Sequence, residues 1–345
     1  MNSTEINALL PFLLQRENVA RYEEGTIIIG DRCQYPFEKA FVYCNDVESA
    51  AKAIEDMVTQ GGGPQYVALY AMALVAKQVS GKPLDQQREA FEAAKVRLVK
   101  TRPTNTSLAR RLEKAMQVIH QSLDETKSVE AALLNWIEKI RDESYQVHIT
   151  CGELGASLIE DGDGILTMCF AETSFLLTLA LAHKAGKHIQ VYTPETRPYL
   201  QGARLTAPSI HELGIPVKII GDNMPAYVLS QGKIQKYFTA ADLVTMDGHV
   251  VNKIGTFQNA ITAHHHGVPF FVFAFAPDKF KPDRASIEIE ERDPAEMRSC
   301  RGTATTIAEI DAYYPAFDIT PPYLVSGVIT PKGILSAYDL PRYFA

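Results

Sequence analysis

The chain has 345 residues, of which 46% are hydrophobic and 22% charged, and its formal net charge is −7 at pH 7. This length and composition are typical of a globular protein with two domains and a large core. The acidic balance disfavours nucleic acid as a partner, and the sequence contains no apolar run long enough for a membrane-spanning helix.

The first half of the chain predicts short strands followed by helices. Residues 26–30 and 40–44 are strand candidates, and Asp46 is the expected N-cap of a helix that begins near Val47. Helix-like spacing then covers residues 64–79, 84–100, 105–123 and roughly 127–160. Residues 147–150 could form a strand, but the apolar spacing continues past them and favours a helix.

From about residue 163 the pattern alternates between strands and helices. Strands are predicted at 164–170, 188–193, 216–220, 236–242 and 269–275, with helices at 174–186, 202–213, 224–231 and 252–266. Short strands separated by helices indicate βαβ units and a parallel sheet. The sequence therefore predicts an α/β protein whose domain boundary lies near residues 150–163.

The segment Glu195-Thr-Arg-Pro-Tyr-Leu-Gln-Gly-Ala-Arg-Leu-Thr-Ala207 joins a predicted strand to a predicted helix. Such connections bind ligands in open α/β sheets. The guanidinium groups of Arg197 and Arg204 suit a phosphate or a carboxylate. The alternative is an ordinary surface loop with ion pairs.

Two further segments could bind an anion. Gly61, Gly62 and Gly63 precede Pro64 at the predicted start of a helix, where free N–H groups attract anions, although a plain turn has the same pattern. Arg102 precedes another helix and could be a phosphate ligand. The neighbouring residues 104 and 105 could also simply cap that helix.

Cys169 and Asp242 each end a predicted strand, at the edge where parallel sheets place their sites. A lone cysteine in an apolar strand is more often buried and inert. A carboxylate at a strand end needs solvent or a ligand, which makes Asp242 the stronger candidate. Asn252 and Lys253 are expected at the start of the next helix.

The sequence predicts neither a metal site nor a disulfide framework. The five cysteines are scattered without a C-x-x-C pair, which indicates reduced thiols in a cytoplasmic protein, and no signal peptide is recognisable. His264, His265 and His266 are adjacent, so they point around a helix instead of converging on one ion.

The chain resembles the family of methylthioribose-1-phosphate isomerase, other sugar-1-phosphate isomerases and the regulatory subunits of the initiation-factor exchange complex. The similar stretches are Thr101–Thr104, Ile165–Cys169, Glu195–Ala207, Gly221–Met224, Ala241–Asp242, Val251–Thr256, Ile289–Pro294 and Pro315–Pro321. The resemblance implies a mainly helical N-terminal domain with short strands (residues 1–150) and a Rossmann-like domain with a mainly parallel sheet (residues 151–345). It also implies a cytoplasmic homodimer that acts in methionine salvage without a cofactor.

The resemblance implies a catalytic pair of Cys169 and Asp242. It also implies that the sugar phosphate contacts Arg102, Gln201, Asn252 and Lys253; we add Arg197 and Gly61 to Gly63 from the local patterns. The reaction implied is the conversion of an aldose 1-phosphate to a ketose 1-phosphate.

Three departures from the family pattern fall on residues expected in the site. Gln60-Gly-Gly-Gly-Pro64 stands where the isomerases usually carry Arg-Gly-Ala-Pro-Ala. Phe170-Ala-Glu172 replaces Asn-Ala-Gly, and Leu243 replaces an arginine. We expect these changes to affect which substrate is bound more than they affect the fold.

We hypothesise that Asp242 moves the proton on the ring oxygen or the 2-hydroxyl group. Cys169 would exchange the carbon-bound proton through a cis-enediol or act as the acid for ring opening, and a hydride shift is the alternative. As a thiolate, Cys169 would need a lowered pKa, which the following helix N-terminus could provide.

Methylthioribose 1-phosphate is the first expected substrate. The alternatives are a paralogue for 5-deoxyribose 1-phosphate or another C1-phosphorylated pentose, and a non-catalytic subunit that senses a sugar phosphate or nucleotide. Ribose 1,5-bisphosphate is disfavoured, because a second phosphate calls for more cations and not fewer.

Overall fold

The structure is a computed structural model that describes residues 3–102 and 106–345. The chain forms two compact units. One is Phe12–Tyr145, and the other combines the residues before Phe12 with Gln146–Ala345. No helix within the described residues is both long enough and apolar enough to cross a membrane.

The α-helices and β-strands have the following bounds. The helices are α1 (Ser3–Asn7), α2 (Arg16–Val19), α3 (Val47–Glu55), α4 (Gly63–Val79), α5 (Leu84–Val99), α6 (Thr106–Asp124), α7 (Val129–Leu158), α8 (Glu172–Lys184), α9 (Ala207–Glu212), α10 (Pro225–Ser230) and α11 (Thr256–His265). The strands are β1 (Arg21–Glu23), β2 (Thr26–Gly30), β3 (Phe41–Cys44), β4 (Gly164–Leu166), β5 (Gln190–Pro194), β6 (Val217–Ile220), β7 (Lys236–Ala240), β8 (Leu243–Val244), β9 (Val250–Lys253), β10 (Phe270–Phe273), β11 (Ser299–Cys300), β12 (Thr303–Ala304), β13 (Phe317–Thr320), β14 (Gly327–Thr330) and β15 (Gly333–Leu335).

The first unit is mainly helical. Its helix α4 is apolar on most of its surface and lies in contact with α3, α5 and α6, as expected for a core helix. The predicted N-cap is confirmed, because the Asp46 carboxylate accepts from the Ser49 N–H and the Ser49 hydroxyl accepts from the Asp46 N–H. Strands β1, β2 and β3 form a small antiparallel sheet.

The second unit is built on a mainly parallel sheet with the strand order β15-β14-β10-β7-β4-β5-β6. Only the β14–β15 pair is antiparallel among the pairs of this sheet. Aromatic side chains fill its core, and the rings of Tyr237 and Phe270 stack at 4.3 Å between centroids. The predicted α/β class with a parallel sheet is thereby confirmed.

The sheet contains one point where the chain order reverses. From β4 the chain proceeds to β5 and β6 on one side, whereas β7, β10 and β14 follow on the other side. The chain segments that follow the neighbouring strands β4 and β7 therefore lead in opposite directions along the sheet. A crevice forms between such segments at the carboxyl ends of the two strands.

Two sequence predictions in this unit are wrong. Strand β4 ends at Leu166, so Cys169 lies in the connection after it and not in the strand. Asn252 and Lys253 belong to β9 and not to a helix, and α11 begins only at Thr256. The cause is tertiary, because β9 pairs antiparallel with β13, which is far away in the sequence.

Candidate active site

Cys169 lies in the short connection between β4 and α8. Its φ is 60°, and the φ of Glu172, the first residue of α8, is 56°. Left-handed backbone is unfavourable for residues with a side chain, and it persists where the surroundings impose it, often at functional sites. Here the Thr206 hydroxyl group donates a hydrogen bond to the Cys169 carbonyl oxygen and helps to hold this turn.

Asp242 follows the neighbouring strand β7. The Ala241 N–H donates to the Phe273 carbonyl at 3.1 Å, and the Asp242 N–H donates to the Val251 carbonyl at 2.9 Å. The chain thus leaves the parallel sheet at this point and enters the small antiparallel sheet of β8, β9 and β13. Cys169 and Asp242 therefore follow the two strands at which the chain order reverses.

Lys253 brings a buried cation to this site from the end of β9. The residue is 4% exposed, and its Nζ lies 4.8 Å from the centre of the Phe317 ring. Within residues 3–102 and 106–345, no acceptor forms a hydrogen bond or ion pair with this Nζ. Burial disfavours this ammonium group, and the charges of Asp242 and Glu290 favour it.

The surroundings raise the pKa values of both reactive groups. Burial raises the pKa of Cys169 to about 11, although the Lys253 charge opposes this, and Asp242 adds to the rise. Burial raises the pKa of Asp242 to about 6 against the charges of Lys253 and Arg292. Burial lowers the pKa of Lys253. The expectation of a lowered thiol pKa is therefore wrong, because desolvation outweighs the favourable charges.

Asp242 is accessible to solvent by surface area, and yet desolvation dominates its pKa. The exposed surface leaves the carboxylate within reach of a small molecule, whereas the protein around it lowers its hydration.

Gln201 and Asn252 are both buried, and Asn252 directly precedes Lys253 on β9. Gln201 directly precedes the π-helical turn Gly202–Thr206, and its Oε1 has no hydrogen-bond partner among the described residues. The Asn252 Nδ2 donates to the Thr256 hydroxyl oxygen at 3.0 Å. An unpaired buried amide oxygen favours a ligand with hydroxyl or other donor groups.

Arg197 makes contacts that the sequence did not predict. Its Nη2 donates to the carbonyl oxygens of Met297 at 3.2 Å and Ser299 at 2.9 Å. Asp222 accepts from the backbone N–H groups of Thr196 and Arg197, both at 2.7 Å. These contacts favour a role in holding the loop, and a direct contact of Arg197 with substrate stays a prediction.

The first unit contains the remaining predicted ligands. Gly61 has φ 58° and Gly62 has φ −77°, an alternation found in anion-binding turns, and the Gly63 N–H donates to the Gln60 carbonyl oxygen at 3.1 Å. The Arg102 Nη2 lies 3.1 Å from the Ile54 carbonyl oxygen, in the segment that leads to these glycines. A Cβ on Gly63 would lie 2.0 Å from the Thr59 hydroxyl oxygen, so glycine is required there.

In each unit, sequence reasoning missed charged residues that lie near the predicted site residues of that unit. Arg32 is buried and donates from Nη1 to the Gln60 carbonyl at 3.0 Å, next to the glycines. Glu290 and Arg292 interact electrostatically with Asp242 and Lys253. The stretch Ile289–Pro294 had been recognised as similar to the family, and that was the only signal available.

Asp318 supports the turn that follows Lys253. Its carboxylate accepts from the Gly255 N–H at 2.7 Å and from the Phe257 N–H at 3.1 Å. Burial nevertheless raises its pKa to about 7. In the folded protein the charged form is therefore disfavoured relative to the unfolded chain.

This raised pKa predicts a pH-dependent difference between the parent and Asp318→Asn. Below pH 4 the carboxyl is protonated in both states, and from about pH 4 to pH 7 ionisation favours the unfolded state of the parent. The free energy of unfolding of the variant, minus that of the parent, should rise over this interval by at least about 1 kcal/mol. Urea unfolding at pH 4, 5.5 and 7 measures it, and a constant difference would contradict the prediction.

The three adjacent histidines lie away from this chemistry. His264, His265 and His266 are exposed at the carboxyl end of α11. Among the described residues, no group of histidine, cysteine, aspartate and glutamate side chains has the arrangement of a metal site.

Comparisons with known proteins identify the family of this chain. The sequence profile of the Initiation factor 2 subunit family matches residues 64–337. Methylthioribose-1-phosphate isomerase from Caldicellulosiruptor saccharolyticus is 36% identical over 325 residues, which cover 91% of this chain and 94% of that protein. The protein of the same name from Desulfitobacterium hafniense is 36% identical over 320 residues, 89% of this chain and 92% of its own.

Solved structures extend the similarity to the fold. 5-Methylthioribose 1-phosphate isomerase from Pyrococcus horikoshii OT3 matches with a TM-score of 0.87 and 29% identity, over 99% of this chain and 97% of that chain. Subunit delta of translation initiation factor eIF-2B from A. fulgidus matches with a TM-score of 0.80 and 31% identity, over 92% and 96%. The chain therefore belongs to the Initiation factor 2 subunit family and, within it, to the methylthioribose-1-phosphate isomerase family.

Proposed function

We propose that this chain is an aldose–ketose isomerase that converts 5-methylthioribose 1-phosphate to 5-methylthioribulose 1-phosphate, a step of methionine salvage. One observation carries the proposal: a thiol and a carboxylate with separated pKa values follow the two strands at the chain reversal, beside the buried cation of Lys253. A protonated thiol together with an ionised carboxylate supplies an acid and a base to one reaction. The names of the similar proteins support the substrate.

The pKa values favour Cys169 as the acid and Asp242 as the base. Near pH 7 a thiol with pKa about 11 carries its proton, whereas a carboxyl with pKa about 6 is mostly ionised. The Cys169 thiol gives its proton to the ring oxygen as the bond from C1 to that oxygen breaks. The thiolate that remains is stabilised by the Lys253 ammonium group.

Asp242 then takes the proton of the 2-hydroxyl group as C2 becomes a carbonyl carbon. The hydrogen on C2 moves to C1, either as a hydride or by proton exchange through a cis-enediol. Asp242 finally returns its proton to the Cys169 thiolate, so the protein is unchanged after one turnover. No redox cofactor enters this balance.

The substrate-binding roles are part of the proposal. In the second unit, Gln201, Asn252 and Lys253 are proposed to hold the sugar phosphate, because all three are buried and the Gln201 Oε1 has no hydrogen-bond partner among the described residues. In the first unit, the glycine turn that begins at Gly61 and the nearby Arg102 support binding of an anion.

We also propose a Rossmann-like classification, a homodimer and a cytoplasmic location. Without β15, the strand order β6-β5-β4-β7-β10-β14 has the pattern 3-2-1-4-5-6 of dinucleotide-binding folds. The homodimer and the location rest on the family resemblance and on the pattern of unpaired cysteines.

A substrate panel tests the proposed function. Purified protein is incubated with methylthioribose 1-phosphate, 5-deoxyribose 1-phosphate, ribose 1-phosphate and ribose 1,5-bisphosphate, and the C2 carbonyl of the ketose is followed by carbon NMR. The highest kcat/KM is expected for methylthioribose 1-phosphate. A higher value for 5-deoxyribose 1-phosphate would identify the paralogue. Binding of these sugars without any ketose would identify a sensor and overturn the proposal.

A further inference from the structure

The segment that contains Glu290 and Arg292 is fixed beside the strand that carries Lys253. The Arg292 N–H donates to the Tyr314 carbonyl at 2.9 Å, and the Ala316 N–H donates to the Glu290 carbonyl at 2.9 Å. The Ile254 N–H donates in turn to the Ala316 carbonyl at 3.1 Å. Backbone hydrogen bonds thus connect this segment to the residue directly after Lys253.

The two side chains form a half-buried ion pair. The Arg292 Nε lies 2.9 Å from the Glu290 Oε1, and the exposed fractions of the two side chains are 16% and 31%. At this degree of burial, water and salt screen the charges less than they do on an open surface. A guanidinium group also keeps its charge at every pH of interest.

The charges that face Asp242 come from separate elements. After burial itself, its charged form is favoured by Lys253 on β9 and by Arg292, and it is disfavoured by Glu172 on α8 and by Glu290. The residue directly after Asp242 is Leu243, which brings no charge. The two cations therefore lower the pKa of Asp242, whereas the two acidic neighbours and the loss of water raise it.

We propose that Arg292 is a positioning residue for Asp242: held by Glu290, it supplies the second positive charge of the site and keeps the Asp242 carboxylate ionised in the resting enzyme. This role rests on the proposed function, in which Asp242 is the base. Arg292 acts through Asp242 and not on the reacting atoms. Its removal should change the pH at which the enzyme becomes active more than the activity at high pH.

Two substitutions with opposite signs test the proposal. In Arg292→Gln the positive charge is lost and Glu290 is left, so the acid limb of the kcat/KM profile should move upward by roughly half a unit to one unit. In Glu290→Gln the positive charge of Arg292 is no longer compensated, so the acid limb should move downward. A residue that only stabilised the fold would lower activity at all pH values without moving the limb in opposite directions.

Controls and a second readout complete the experiment. Arg284→Gln removes the same charge from an exposed turn and should leave the acid limb in place. The Asp242 side-chain carbon can be titrated by NMR in protein labelled with carbon-13 aspartate, with the signal assigned by its loss in Asp242→Asn. This titration needs no turnover, so it tests Arg292 even if the proposed isomerase activity fails. Equal midpoints in the parent, Arg292→Gln and Glu290→Gln would overturn the proposal.

Discussion

Asp242→Asn is expected to lower kcat for ketose formation by at least about a hundredfold. The physical reason is that an amide cannot accept the 2-hydroxyl proton, whereas a carboxylate with a pKa of about 6 is mostly ionised and still basic near pH 7. In the parent, kcat/KM should rise with pH through about 6 as this group loses its proton. Steady-state rates between pH 5 and 8 measure both effects.

Stability provides the control for this substitution. The pKa of Asp242 is raised in the folded protein, so its ionisation from about pH 4 to pH 6 favours the unfolded state. Near pH 7.5 the asparagine variant should therefore unfold at the same urea concentration as the parent or at a higher one. Lost activity together with lost stability would indicate a structural residue instead of a base, and near-normal turnover would contradict the proposed role directly.

Cys169→Ser should also lower kcat by about a hundredfold or more. A hydroxyl group is a much weaker acid than a thiol, and the alkoxide left after proton donation is poorly stabilised even beside Lys253. Cys300→Ser is the matched control, because Cys300 is another free, partly exposed cysteine, on strand β11. Its kcat should stay close to that of the parent.

Alkylation and isotope transfer distinguish the possible roles of the thiol. Iodoacetamide should react slowly with Cys169 near pH 7, because its raised pKa keeps it protonated, and faster at higher pH. Turnover in the parent should fall in proportion to the modification of Cys169, quantified by mass spectrometry of its peptide. Substrate deuterated at C2 should retain deuterium at C1 if a hydride moves, and it should lose deuterium to water if a cis-enediol forms. Isomerisation that survives both the serine substitution and alkylation would remove Cys169 from the mechanism.

Sequence patterns correctly predicted the elements that depend on residues only a few positions apart. The capping box at Asp46 and Ser49 and the long helix α7 follow from residues a few positions apart. The strand–helix alternation after residue 163 likewise predicted the parallel sheet. Locating Cys169 and Asp242 near strand ends followed from the same alternation and was correct to within a few residues.

Local patterns failed where a distant segment determines the conformation. Asn252 and Lys253 follow two valines and precede a good helical sequence, so nothing nearby shows that β13 will pair with them. The charge pair of Glu290 and Arg292 was missed for the same reason, since backbone bonds to residues 314–316 place it beside Lys253.

By itself, the sequence determined the α/β class, the family resemblance and the two reactive residues, because side-chain periodicity and residue identity are properties of short stretches. Only the tertiary structure raised the pKa values of both reactive groups above their usual ranges. The pKa of a group depends on the water it loses and on the charges around it, and for Cys169 and Asp242 these come from strands and loops far apart in the chain. Folding therefore keeps the thiol protonated near pH 7 and moves the ionisation of the carboxyl to about pH 6.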